Sequence, residues 1–254
     1  MAVLHGVQAV ACLGAGLAVP KLSNFKTPFI TVFTDWSTGI PVPSMQNRGL
    51  FPFVAVVSGF GFLSSLFHVI VLLFFKTYLA DLRRGINKFR WIEYAFSSSL
   101  MIGLIGILFG MYDIISLILV MSVNACMNFF GYMMELHNSL TGGQVDWTAF
   151  WFGTFAGVVP WAAIFSYLGT AASQGNVPGF VWAILVTYFV MFNTFPINMI
   201  GQYMRRGFWA DKDFPGSGYY KGEKVYQVLS LVAKSLLLWL VVGGANQPNA
   251  IAGR

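Results

Sequence analysis

Seven apolar runs, each about as long as a bilayer is thick, leave this chain few folds to choose from. They cover residues 2–19, 52–75, 88–110, 114–136, 147–170, 179–203 and 222–243. A helix rises about 1.5 Å per residue, so roughly 20 residues cross a hydrocarbon core of about 30 Å. With 57% of residues hydrophobic and only 9% charged, the chain carries more apolar surface than a soluble domain can hide. The expected fold is an all-α membrane protein, a seven-transmembrane-helix bundle forming a single domain over residues 1–254, with the lipid bilayer as its solvent.

The first run begins at Met1 without a basic leader, and its end (Ala15, Gly16, Ala18) resembles a signal-peptide cleavage site. His5 and Gln8 are foreign to a signal core, so the run reads as a span. The lack of a hydrophilic leader also fits a start codon chosen slightly late.

Lysine and arginine set the orientation. Lys76, Arg83, Arg84, Lys88, Arg90, Arg205, Arg206, Lys212, Lys221 and Lys224 fall on the N-terminal side of the bundle, ten in all. Lys21, Lys26, Arg48 and Arg254 fall on the other, four in all. This bias predicts a multi-pass protein of the cell membrane with a cytoplasmic N-terminus and an extracellular C-terminus. The net charge of +6 is then topological, not a nucleic-acid footprint. Cys12 and Cys126 lie within apolar runs and read as packing residues rather than a disulfide.

The first loop, residues 20–51, is the long one. Phe29-Ile30-Thr31-Val32-Phe33-Thr34 followed by Gly39, Pro41 and Pro43 predicts a short extracellular β-hairpin. Its apolar side chains need a cover, either a second protomer or the hairpin's own helix ends. Pro160 and Pro196 lie inside the fifth and sixth runs, where each permits a kink.

Lys234 stands near the middle of the last run, where an ammonium costs roughly 2.5–3.5 kcal/mol to insert. Glu93 on the third run is its natural partner. Counted from the outer helix ends, Glu93 lies about 25 Å down and the Lys234 backbone about 14 Å. Helical side chains lean toward the helix N-terminus, so the lysine reaches toward the Glu93 level. A unit pair at about 4 Å contributes on the order of 4 kcal/mol at an effective dielectric near 20. A plain interhelical salt bridge would look the same from these two residues.

Other polar groups gather on the same inner half: His5 and Gln8, Ser64 and His68, Ser97, and the stripe of Gln227, Ser230 and Lys234. Together they suggest a hydrated, proton-handling cavity. The outer half, Leu100 to Phe109 and Leu236 to Val242, carries no ionisable group; Leu104 is apolar where a relay would want a carboxylate, and Asp113 at the helix end reads as solvated. A transmembrane proton path needs donors or acceptors on both sides of the lysine, so the one-sided pattern argues against a pump.

Seven helices with a lysine centred in the seventh and Arg90-x-x-Glu93 on the third resemble the microbial rhodopsin plan. The inverted orientation resembles the heliorhodopsins specifically. Trp91-Ile92-Glu93-Tyr94 with Ser97 and Ser99, Asn124 and Met127, Leu229-Ser230-Leu231-Val232-Ala233-Lys234, His5-x-x-Gln8, His68 and the hairpin loop are similar to that family over the whole chain. The resemblance implies all-trans retinal on a protonated Schiff base at Lys234, with Glu93 as sole counterion. Ser230 stands where related proteins keep a second carboxylate. Ser64, Ser97, Gln8, His5 and His68 would form the inner cluster that accommodates the proton. Asn124, Met127, Trp151, Phe192 and Phe195 would line the polyene. The family also implies a homodimer, a slow photocycle without ion pumping, and signalling through a cytoplasmic partner not readable here. Rival readings are a light-driven pump or light-gated proton conductance with the same pigment, and a colourless secondary transporter. An enzyme is not expected, because no soluble nucleophile or metal cluster is present in the pattern.

Overall fold

A computed structural model describes residues 1–141, 144–175, 177–211 and 217–247. Lys212 and Arg254, both used in the orientation count, lie outside the described residues. The elements follow in the order α1 (Ala2–Ala18), α2 (Pro20–Ser23), β1 (Lys26–Asp35), β2 (Val42–Pro52), α3 (Phe53–Leu73), α4 (Phe75–Arg83), α5 (Lys88–Leu108), α6 (Ile114–Thr141), α7 (Thr148–Gln174), α8 (Gly179–Met204) and α9 (Gly218–Ala245), with a single 3-10 turn at Gly207–Trp209 before α9. Among the described residues, α3, α5, α6, α7, α8 and α9 are long and apolar enough to cross a membrane; α1 is a shorter apolar helix of 17 residues. The chain is a multi-pass membrane protein.

The helix ends follow local chemistry. Asn87 caps α5 by accepting the Arg90 N–H at 3.1 Å, and Ser217 caps α9 through the Tyr220 N–H at 3.3 Å. Arg205 closes α8 in the left-handed conformation at φ 51°. Three boundaries differ most from the sequence reading. The second run ends at Leu73, and most of the expected loop after it is the short helix α4. The fourth helix continues to Thr141, and the last begins at Gly218, ahead of its apolar run. Hydropathy marks where lipid begins, whereas backbone hydrogen bonding carries a helix on into water. Pro160 and Pro196 fall inside α7 and α8.

Helix α1 packs along α3, α5 along α6, α6 along α7, and α8 along α9; α9 also meets α1 and α3. Small residues allow the closest approaches. A Cβ added at Gly16 would come within 2.8 Å of the Ala55 backbone nitrogen, so α1 and α3 touch main chain to main chain. At Gly131 of α6 an added Cβ would meet the Trp91 ring at 2.3 Å. Gly131→Ala is therefore expected to destabilise the protein by about 1–3 kcal/mol through overpacking. Thermal unfolding of the purified variant checks this.

The hairpin pairs Lys26 through Asp35 antiparallel with Pro52 through Val42, with a bulge between Phe29 and Ile30. Gly49 beside the bulge has φ 125°, which a side chain would strain. Phe29 stacks on Phe51 at 4.3 Å, facing the outer helix ends. The outer edge of β1 is covered by the chain itself. Ile30 N–H donates to the Tyr112 carbonyl and Val32 N–H to Asp113 Oδ1, both at 3.0 Å. Asp113 is thus not a freely solvated end residue. It also accepts from the Ser116 N–H and hydroxyl, each at 2.8 Å. Burial acts to raise its carboxyl, yet the Ser116 and Val32 N–H groups hold it below the ordinary aspartate value. Val32, Trp36, Met45 and Leu50 remain exposed on the hairpin.

Both cysteines are free. Cys12 is buried, with its thiol 3.5 Å from the Val54 carbonyl. Cys126 is exposed rather than packed inside, because it lies on the face of α6 opposite the buried stripe of Asn124, Asn128 and Glu135.

Candidate functional site

Three helices bring the ionisable groups together. Lys234 of α9 places its ammonium against Glu93 Oε1 of α5 and the Ser64 hydroxyl of α3. Ser64 and Ser97 also donate to Glu93 Oε1, at 2.6 and 3.1 Å. One carboxylate oxygen thus collects an ammonium and two hydroxyls. Only 4% of the lysine side chain and 11% of the glutamate side chain are exposed. The Tyr94 ring lies 5.5 Å from the ammonium, adding a weaker attraction. Next to Lys234 along α9, the Ala233 carbonyl accepts the Tyr188 hydroxyl of α8 at 2.6 Å, which fixes the backbone under the lysine.

A cavity of about 70 Å³ begins at Glu93 and runs toward the N-terminal end of α5. Ser64, His68, Asn87, Arg90, Glu93 and Ser230 are among its walls. His5 of α1 is buried and stacks on His68 at 5.5 Å with the rings 14° apart. Gln8 belongs elsewhere: it accepts from the Ser235 hydroxyl at 2.8 Å and ties α1 to α9. On the other side of Lys234, Ile102, Leu104, Leu237 and Leu238 form a closed apolar core. The polarity around the lysine is one-sided.

The residues expected to line a polyene divide. Asn124 is buried and donates to Ser98 and Ser99 at 2.8 and 3.1 Å. Met127 faces Gly157, where an added Cβ would meet its sulfur at 2.8 Å. Phe192 packs edge-on to Trp161 at 5.5 Å, and Phe195 edge-on to Tyr94 at the same distance. Trp151 is a correction: it is 65% exposed on the outer face of α7, and the buried tryptophan of that helix is Trp161. Ten residues separate the two, nearly three turns, and the uniformly apolar sequence between them does not say which faces in.

The sequence reading also missed a second charged cluster. Arg90, counted there as a cytoplasmic loop cation, is buried. Its guanidinium pairs with Glu135 of α6 and lies 3.0 Å from Glu223 of α9. Asn87 joins all three helices, donating its backbone N–H to Glu135 at 2.8 Å and its amide to Glu223 at 2.6 Å. The Arg90 guanidinium carbon is 3.9 Å from the Tyr226 ring and 4.2 Å from the Trp91 ring. The available signal was simple: Glu93, Glu135 and Glu223 are the only glutamates in the chain, and each lies within or beside an apolar run.

A buried primary amine with one carboxylate, in a bundle whose middle is aromatic, suits a cofactor that bonds to an amine and is otherwise apolar. Tyr94, Trp161, Tyr188, Phe192 and Phe195 supply that aromatic middle. Comparison with known proteins agrees. A family model described as Heliorhodopsin matches residues 1–245. No curated protein sequence matches the chain. Among solved structures it is similar to the rhodopsin of Exiguobacterium sibiricum, with a TM-score of 0.58 at 15% identity over 95% of each chain. It is also similar to a light-driven proton pump, LR (Mac), from Leptosphaeria maculans, with a TM-score of 0.56 at 14% identity over 97% of this chain and 93% of that one. At such identities these likenesses speak for the fold.

Proposed function

The chain belongs to the heliorhodopsin family, and from that premise we propose that it is a light sensor whose all-trans retinal is linked to Lys234 and whose Glu93 is the counterion. The observation that carries the reading is the buried contact of the Lys234 ammonium with the Glu93 carboxylate inside the bundle. Bound retinal, held through the lysine nitrogen, would supply a light-driven isomerisation of its polyene.

The chain's own residues do the rest. Glu93 holds a positive charge on that nitrogen, and Ser64 and Ser97 hold Glu93 in place by donating to the same oxygen. Ser230, with His68 and the water-sized space between them, offers the nitrogen's proton a polar surroundings on one side. His5 extends this set by stacking on His68. The closed apolar core beyond Lys234 gives the proton no second exit, which supports sensing over pumping. Asn124, Met127, Phe192 and Phe195 shape the space for the polyene.

In this reading residues 1–254 act as one domain with the N-terminus cytoplasmic and the C-terminus outside. The basic residues on the N-terminal side support that orientation. The exposed apolar residues of the hairpin support a homodimer joined outside the membrane. The light signal passes to a separate cytoplasmic partner.

The test is to express the chain with all-trans retinal and record its visible spectrum, then illuminate cells and follow external pH. A visible band and no protonophore-sensitive pH change are expected. A colourless protein overturns the pigment reading, and a light-driven pH change abolished by a protonophore overturns the sensor in favour of a pump.

A further inference from the structure

The three glutamates are all buried, but their cations do not balance. Glu93 has Lys234, whereas Glu135 and Glu223 share Arg90. The Oε1 atoms of both carboxylates converge on one guanidinium nitrogen, Nη2. Glu135 is well supplied, with the Asn87 N–H on Oε2 and the Tyr219 hydroxyl 3.3 Å from Oε1. Glu223 is not. Its Oε2 accepts from the Asn87 amide, but its Oε1 has no hydrogen-bond donor even though Nη2 lies 3.0 Å away.

The charged groups Arg83, Arg84, Arg205 and Asp211 line the cavity beside Glu135, whereas the groups packed directly on the cluster are neutral apart from these three. Tyr219 and Tyr226 come from α9, Trp91 and Asn87 from α5, Tyr203 from α8 and Tyr78 from α4. Among the described residues, Arg90 is the only cation paired with either carboxylate. Fully ionised, the cluster would bury one uncompensated negative charge, which a low-dielectric interior strongly disfavours.

We propose that Glu135, Glu223 and Arg90 form a proton-binding site that holds one exchangeable proton between the two carboxylates in the resting protein at neutral pH. The proton makes the cluster neutral and gives the Glu223 oxygen the hydrogen it lacks. Its position gives it a role. Asn87 and Arg90 line the cavity that reaches Glu93, whereas Glu135 and Tyr219 line a second cavity of about 290 Å³ that also borders Arg84 and Gln202. The cluster is the partition between the two, so its proton exchanges with the medium through the second cavity. Arg90 and Glu93 are three residues apart on one helix face, so a change in the partition's charge is felt at the Lys234–Glu93 pair. The charge imbalance stands whether or not the lysine carries retinal.

Infrared spectroscopy of the intact protein, expressed with retinal and with glutamate labelled at the carboxyl carbon with ¹³C, tests this. One glutamic-acid C=O band that moves with the label and shifts in D2O is expected. E135Q and E223Q should each lose it, because the remaining carboxylate then matches Arg90 one to one. E93D, which takes position 93 out of the glutamate label, should keep it. Absence of any such band in the unsubstituted protein overturns the proposal, as does a band lost in E93D and kept in E135Q and E223Q. Should the glutamine variants not fold, the unsubstituted protein and E93D still decide. The measurement reads a colourless protein equally well, so it fails independently of the pigment reading.

Discussion

Lys234→Ala is expected to abolish the visible band completely, whatever retinal is supplied, and Lys234→Arg is expected to do the same while keeping the protein folded. The two variants separate chemistry from electrostatics. Alanine removes both the nucleophilic amine and the charge, leaving Glu93 buried with only Ser64 and Ser97 as donors. Breaking a buried pair in this way costs about 3–5 kcal/mol, so the alanine variant should also unfold at lower temperature. Arginine keeps a permanent positive charge beside Glu93, but its guanidinium does not form an imine with an aldehyde under ordinary conditions. A folded, colourless Lys234→Arg protein is therefore the diagnostic result. Colour retained in either variant would remove Lys234 as the attachment point. Absorption spectra before and after adding retinal, together with melting curves, give both readouts.

That pair was legible before any coordinates because depth in a membrane is almost one-dimensional. Counting residues from the C-terminal ends of two parallel helices placed Glu93 and Lys234 at compatible levels, and the lean of helical side chains closed the gap. The hairpin was legible for a similar reason, since β-branched and aromatic residues followed by glycine and proline have few other uses in a loop. Rotation about a helix axis was much less legible. In water an amphipathic stripe reports the buried face, but in lipid both faces of α7 are apolar, and on α6 only the stripe of Asn124, Asn128 and Glu135 marks the inner face. Trp151, expected along the polyene, and Cys126, expected as a packing residue, are both exposed. Arg90 was misread for a different reason. At the first turn of α5 a basic residue has two indistinguishable meanings in sequence, an orientation signal or a buried partner. Only the convergence of α6 and α9 on that turn decides between them, and that convergence is tertiary. Glu135 and Glu223 were passed over because each stands near the end of its apolar run, where a charge draws little notice.

Glu93→Gln is expected to shift the visible band to longer wavelength and to destabilise the protein. A carboxylate beside a cationic nitrogen stabilises the state in which the positive charge stays on that nitrogen. Light moves the charge away along the conjugated chain, so the excited state gains less from Glu93 than the ground state does. A pair at about 4 Å and an effective dielectric near 20 is worth on the order of 4 kcal/mol, which bounds the differential available. Glutamine keeps the shape and can still accept from Ser64 and Ser97, so the loss is of charge and not of packing. The apoprotein reports the other half of the argument. There Glu93→Gln leaves a buried ammonium without an anion, at a cost of about 3–5 kcal/mol seen as a lower melting temperature. Glu93→Asp should fall between wild type and glutamine in both measurements, because the charge survives but one methylene pulls it back from Lys234. An unchanged spectrum in Glu93→Gln would exclude it as the counterion. The described residues place no other carboxylate on Lys234, so a substitute would have to act from a distance.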